Sequence, residues 1–212
     1  MKFSKLLNIL GMTAAFAALY IILVQVHYDL TYNRAIPDSE RVYLMTLPSL
    51  GGSGLKQQSF LARPVAEMGL ADNPYVETYG VAALDDVNKV NVIVGEGTAA
   101  KTHSVNFAQM TSGALKTFGI QAVMGSFEGI GEGGYVAISE SAAERLGVAV
   151  DSVLQLESWG RTNYFVVRAI YEDLPVASDL KNIEVIRCNQ LETQDLTSTS
   201  NWSYNYYVKL RS

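Results

Sequence analysis

Thiols, imidazoles and prolines are scarce in this sequence, and the first two scarcities close off chemistry. The single cysteine, Cys188, can form no internal disulfide. It follows the apolar Ile183-Val185-Ile186 run and is expected to be buried. The two histidines, His27 and His103, stand far apart and, with one thiol, make a poor ligand set for zinc. His27 is expected at a membrane surface and His103 on a strand. Basic residues are also in deficit, because 16 Lys and Arg against 21 Asp and Glu leave a formal charge of -5. A nucleic-acid surface would draw most of its affinity from a basic patch, so that partner is excluded. No G-x-x-x-x-G-K-[ST] segment occurs, so the chain alone is not an ATPase.

The patterns that do occur are weak in context. Gly129 to Gly134 spells G-x-G-x-x-G, but a dinucleotide site needs those glycines between a strand and a helix N-terminus. A strand, Tyr135 to Ile138, follows instead, which predicts a turn. Asp85-Asp86 and Glu172-Asp173 are adjacent carboxylates that point different ways and fall in turns, so they are expected to be solvated. Gly51-Gly52-Ser53-Gly54 lacks the strand-elbow-helix setting of a nucleophilic serine. Tyr204, Tyr206 and Tyr207 beside Trp202 are expected on a strand with one face buried. No catalytic constellation, cofactor site or metal site is predicted, and the chain is not expected to be an enzyme.

Long apolar runs number one. Leu6 to Val26 contains no charged residue, and at 1.5 Å per residue its helix is roughly 30 Å long, the thickness of a bilayer's hydrocarbon core. Asn8, Thr13, Tyr20 and Gln25 are mild exceptions, since a hydroxyl can bond back to a carbonyl one turn earlier. Lys2 and Lys5 precede the run, which by the positive-inside rule keeps the N-terminus cytoplasmic and exports the rest. A cleaved signal with Ala15-Phe16-Ala17 as its site is the rival reading, but the run continues well past the usual length of such a region. The expected division is a cytoplasmic N-terminus (1–5), a transmembrane helix (6–27), a stalk (28–40) and a core domain (41–212) of one lobe or two. The fold class is α+β (mixed α/β).

Along the chain, the stalk is expected to stay helical until just before Pro37 and to feed a strand from Arg41 to Thr46. A turn-rich connection with Gly51, Gly52 and Gly54 precedes a helix from about Ser59 to Met68, limited by Pro64. Strands follow over 76–81, in the alternating segment 88–97 with Val90, Val92 and Val94 on one side, and over 102–107. Leu115 and Phe118 share a short helix ended by Gly119. Ser141 and Glu144 have capping-box spacing on a helix stopped by Gly147. The segment 153–170 is a hairpin candidate turning near Gly160 and Arg161.

The stretch DLTYNRAIPDSERVY resembles the post-anchor signature of the MacB-like periplasmic core domain, found in ABC-transporter permeases of the MacB/FtsX type. Asp29, Leu30, Tyr32, Arg34, Pro37, Arg41 and Tyr43 are in register with it. Asn33 stands where an aspartate is usual and Ala35 where a phenylalanine is usual. Residues 135–147 and 166–181, with Asp173, Leu174, Pro175, Ser178 and Leu180, extend the likeness, as does the closing segment from Trp202.

The resemblance implies a permease subunit of the bacterial inner membrane, with its main domain periplasmic. A cytoplasmic ABC ATPase and a second permease copy, as a homodimer or pseudo-dimer, would be its partners. A periplasmic adaptor or outer-membrane protein would complete the assembly. ATP turnover would reach the periplasm through the stalk, in efflux, lipoprotein release or related mechanotransmission, with Asp29, Leu30, Tyr32, Asn33, Arg34, Pro37, Arg41 and Tyr43 as its coupling residues. Further membrane helices would follow Ser212, making this chain a piece of a longer permease. A single-pass anchored binding or adaptor module is the alternative. Replacing Arg34 and Arg41 together is expected to uncouple ATP turnover from output while the domain stays folded. Unchanged output in that double variant would remove the stalk from the mechanism.

Overall fold

The computed structural model describes residues 2–49, 56–95, 100–158 and 161–212. Helix α1 (Lys2–Thr31) runs unbroken for 30 residues. Its stretch Leu7–Thr31 has a mean hydropathy of 2.2, and the most apolar part is nowhere buried against the rest of the protein. The hydroxyls of Thr13 and Thr31 donate to the carbonyls of Ile9 and His27 at 2.9 and 2.8 Å, which hides their polarity inside the helix. The helix ends at Thr31, earlier than the break expected before Pro37. Asn33 takes a φ of 61°, a left-handed conformation that asparagine tolerates and that a helix cannot continue through.

A 3-10 turn (Ser39–Arg41) then opens the folded head. Strands β1 (Val42–Leu44), β2 (Leu47–Ser49), β3 (Lys56–Gln58) and β4 (Phe60–Leu61) lead to α2 (Arg63–Leu70). They are followed by β5 (Val76–Val81), β6 (Asn88–Val94), β7 (Lys101–Gln109), α3 (Ser112–Thr117), β8 (Ala122–Gly125), β9 (Tyr135–Ser139) and α4 (Glu140–Leu146). The chain closes with β10 (Val153–Ser158), β11 (Arg161–Tyr171), β12 (Val185–Arg187), α5 (Asn189–Thr193) and β13 (Tyr204–Leu210). The result is the mixed α/β domain behind one apolar helix that the sequence implies.

Six strands close on themselves in the order β10-β6-β7-β12-β9-β11, because β10 pairs with both β6 and β11; β8 adds to the far end of β11. Closure leaves few free edges. Val92, Leu154, Phe165, Val167, Val136 and Ile138 fill one face of this sheet with Ala142 and Leu146 of α4. Ala137, Tyr171 and Ile186 face the other way, toward Met110, Leu115 and Phe118. A strand covered on both sides needs an apolar residue at nearly every position, which is how Tyr135-Val136-Ala137-Ile138 reads.

The second sheet is centred on β13, which pairs antiparallel with β1, β4 and β5. Tyr204, Tyr206 and Val208 enter a core with Leu61, Ala66, Leu70 and Val81. Tyr207 turns the opposite way, its ring 4.9 Å from that of Phe118. Both faces are therefore covered, not the single face expected, since β13 lies between two layers. Helix α3 presses its N-terminus onto β5, where a Cβ on Gly80 would stand 2.1 Å from the Ala114 nitrogen and one on Gly113 would stand 2.2 Å from the Tyr79 oxygen. Only two glycines permit that approach. Thr111 Oγ1 completes the join by accepting from the Val81 and Ala114 amides at 2.9 and 3.3 Å.

Local expectations changed in three places. Strands β2 and β3 pair across the connection expected to be only turns; Gly51, Gly52 and Gly54 lie outside the described residues. Pro64 starts α2 rather than limiting it, since its missing N–H costs nothing in a first turn. Ser139, not Ser141, caps α4 by accepting from the Ala142 amide. The hairpin turn near Gly160 also lies outside the described residues, although Ser158 and Arg161 on either side are register partners.

Gly80→Ala is expected to force α3 off β5 and to cost about 1–3 kcal/mol. Gly69→Ala, in α2 with nothing within 4 Å of the added Cβ, is expected to stabilise by up to about 1 kcal/mol. Urea midpoints of the full chain in detergent check both. A Gly80→Ala protein with the unaltered midpoint would contradict the packing.

Candidate functional site

The residues singled out between Asp29 and Tyr43 occupy the neck, where α1 gives way to the head. Two fastenings are found there. Asn33 makes the first: its backbone N–H donates to the Ala177 carbonyl at 2.8 Å, its Nδ2 donates to Asp179 Oδ2 at 2.8 Å, and its Oδ1 accepts from the Asp179 amide at 2.9 Å. Tyr32 adds its hydroxyl, donating to Asp179 Oδ1 at 3.0 Å, and its ring packs 5.7 Å from that of Tyr28. Partial burial and the Asp179 carboxylate push the Tyr32 hydroxyl pKa up. The carboxamide at 33 is what fits, because an aspartate would set carboxylate against carboxylate.

Arg41 makes the second fastening. It donates to Glu77 at 2.7 Å, to Asp38 at 2.8 Å and to the Leu210 carbonyl at 3.0 Å. Lys209, 8% exposed, completes a neutral quartet through Asp38 at 2.8 Å and Glu77 at 3.6 Å. Bonds from Lys209 and Arg41 hold the Asp38 carboxyl below its ordinary pKa. A depressed acid favours the fold above the unfolded-state value and loses that contribution as the pH falls through the folded one. The quartet joins the 3-10 turn to β5 and β13. Between the fastenings, Ile36 is buried in the core that holds Phe118, and Pro37 lies 3.0 Å from where a Gly119 Cβ would stand.

The structure thus brings Tyr32, Asn33, Pro37 and Arg41 into contact with the head, places Tyr43 in β1 opposite Val208 with its side chain exposed, and leaves three predicted residues out. Asp29 accepts from Gln25 within α1 at 2.8 Å. Leu30 is exposed. Arg34 is exposed and has no ion-pair or side-chain hydrogen-bond partner among the described residues. Sequence reasoning missed Asp179, Glu77, Lys209 and Asp38, although Asp179 sits between Ser178 and Leu180, two residues that carried the resemblance.

Elsewhere, several polar groups are satisfied, while the buried Gln109 Oε1, Arg187 Nε and Asn205 Oδ1 have no hydrogen-bond partner among the described residues. Arg63 is buried, donating to Glu67 at 2.8 Å, to the Gln194 carbonyl at 3.0 Å and to the Leu191 carbonyl. Burial, and Glu67 accepting from its hydroxyl at 2.8 Å, push the Tyr206 pKa up. Desolvation raises the Cys188 thiol pKa, which leaves it unreactive. Asp173 accepts from the amide and hydroxyl of Ser141 at the start of α4, a structural use of one expected solvated pair. Gly129 to Gly134 is a turn ahead of β9. Among the described residues no group of three or more His, Cys, Asp and Glu side chains is arranged to hold a metal ion.

No protein-family model matches the sequence, and no curated protein matches it. Among solved structures, a domain of a protein described as a permease from Porphyromonas gingivalis is similar with a TM-score of 0.62 and 20% identity, covering 81% of this chain and 75% of that one. Identity that low establishes a shared fold alone. The extracellular domain of the noncanonical ABC-type transporter YknZ from Gram-positive bacteria aligns with a TM-score of 0.45 and 14% identity, over 68% of this chain and 71% of that one.

Asn33→Asp is expected to lower stability by about 1–3 kcal/mol at neutral pH, the cost of an unsatisfied, like-charged contact. Adding Asp179→Asn restores a donor opposite the new carboxylate and is expected to recover most of the loss. Denaturation midpoints of the full chain in detergent test this, and equal stability of Asn33→Asp and the parent would refute the tie.

Proposed function

We propose that this chain is the first membrane helix and extracytoplasmic head of an ABC-type permease subunit, with the neck passing helix displacement to the head. The observation that supports it most is the double fastening of the segment just after a helix whose most apolar part is nowhere buried against the rest of the protein. Twelve large apolar or aromatic side chains from Leu7 to Val26 are exposed. At about 1.5–3 kcal/mol each in water, leaving them wet would cost more than the roughly 5–15 kcal/mol that holds a domain together. A bilayer is the cover that fits their length and their all-round distribution. The likeness in fold to a domain described as a permease supports the same class.

In this reading a cytoplasmic ABC ATPase drives a pair of such subunits, and a rotation or shift of α1 is delivered at two points. Asn33 moves the loop that carries Ala177 and Asp179, while Arg41 moves β5 and β13. Displacement passes through packed elements with discrete arrangements, which a glycine-rich tether could not transmit. The head contributes no chemistry and presents its surface to periplasmic partners, as an efflux or release device of the MacB-like kind. Arg41, rather than Arg34, is the cation that couples.

The test uses the full permease reconstituted with its ATPase, with spin labels reporting the distance between the two heads. ATP is expected to change that distance in the parent. Asn33→Ala with Arg41→Gln is expected to cut the change by more than half while ATP turnover stays within about twofold, and Arg34→Gln is expected to do neither. Full head movement with both fastenings cut would overturn the proposal.

A further inference from the structure

We infer that the neck-facing loop Pro175–Lys181 rests on the lipid headgroups of the leaflet from which α1 emerges, with Arg34 and Lys181 contacting lipid phosphates and Val176 entering the headgroup layer. The inference rests on the membrane-spanning reading of α1 and deepens it.

The helix itself is the ruler. With Leu6 to Val26 matched to a hydrocarbon core of about 30 Å, Thr31 stands about 7.5 Å beyond Val26 at 1.5 Å per residue. The headgroup layer on each side is about 5–8 Å deep, so α1 ends near its outer edge. Asn33 follows two residues later and is fixed to the loop by its three hydrogen bonds to Ala177 and Asp179. The loop is therefore held at nearly the depth at which the helix stops. It cannot rise away without breaking them.

The chemistry of the exposed groups suits that depth. Val176 is 76% exposed and Leu30 61% exposed, apolar groups with no cover in the protein. Tyr28 and Tyr32 pack there with their rings tilted by 58°, and such amphipathic rings suit a bilayer boundary. Arg34 and Lys181 are exposed cations that flank the Asn33–Asp179 tie in sequence. Neither has an ion-pair or side-chain hydrogen-bond partner among the described residues. Three nearby carboxylates are already engaged, Asp179 by Tyr32 and Asn33, Asp29 by Gln25, and Asp173 by Ser141, while the exposed Glu172 lines the cleft beside Ala35 and Pro175 without pairing either cation. An unpaired guanidinium and ammonium at headgroup depth find lipid phosphate as their counter-charge, and each is free to take it.

The experiment places a nitroxide in turn at Val176→Cys, Leu19→Cys and Tyr164→Cys of the full chain in phosphatidylcholine vesicles, where Cys188 is buried and unreactive. Relative accessibility to oxygen and to a polar nickel chelate gives the depth of each label. Leu19 is expected in the hydrocarbon, Tyr164 in water and Val176 at the headgroup boundary. Arg34→Glu with Lys181→Glu is expected to shift the Val176 label at least halfway toward the value at Tyr164. A label at Val176 as water-exposed as that at Tyr164, with Leu19 embedded, overturns this inference and leaves the anchored-helix reading standing. A label at Leu19 outside the hydrocarbon overturns both. No change at Val176 in the charge-reversed variant overturns the phosphate contact.

Discussion

A helix with no side of its own packed against the protein must take its direction from whatever grips its end. In this chain the grip is a single asparagine that closes three hydrogen bonds with one loop, backed by a four-charge cluster eight residues later. The magnitudes explain the division of labour. Hydrogen bonds contribute about 1 kcal/mol each, somewhat more for the one given to the Asp179 carboxylate, too little to aim a 30-residue rod on their own. The quartet of Arg41, Lys209, Asp38 and Glu77 adds charge-assisted bonds that are partly shielded from water, where such contacts are stronger. Ile36, buried between the two, keeps the linking segment from swinging.

The same economy appears inside the head. Two layers of apolar residues share the closed sheet, and a glycine pair brings α3 onto β5 more closely than any other residue would allow. Arg63 shows how a charge is tolerated in such an interior: its donors reach the Leu191 carbonyl in α5, the Gln194 carbonyl at its end, a carboxylate and a tyrosine hydroxyl. A buried guanidinium so completely occupied holds elements together and has nothing left to offer a substrate.

Sequence alone made much of this visible, and the failures have physical causes. The apolar helix, the alternation of β6 and the strand-helix order around Tyr135 to Gly147 follow from periodicity, which reports burial directly. The start of α2 was misplaced because proline both ends and begins helices, and only the surrounding contacts decide which. The neck was located through Asn33 and Arg41, yet their partners lie far away along the chain, at Asp179 and at Glu77 and Lys209. A hydrogen bond between residues 146 positions apart leaves no periodic trace. The departure of Asn33 from the usual aspartate was the one clue, and it acquires meaning only beside Asp179.

Strand β13 closes the second sheet and supplies Lys209 and the Leu210 carbonyl to the neck, 169 residues after Arg41. Chains emerge from the ribosome N-terminus first, at about 5–20 residues per second, so α1 is made roughly ten or more seconds before its second clamp exists. During that interval the helix precedes an incomplete domain whose middle strand is missing. A chain interrupted before Tyr204 therefore keeps its apolar helix but lacks the strand with which β1, β4 and β5 all pair.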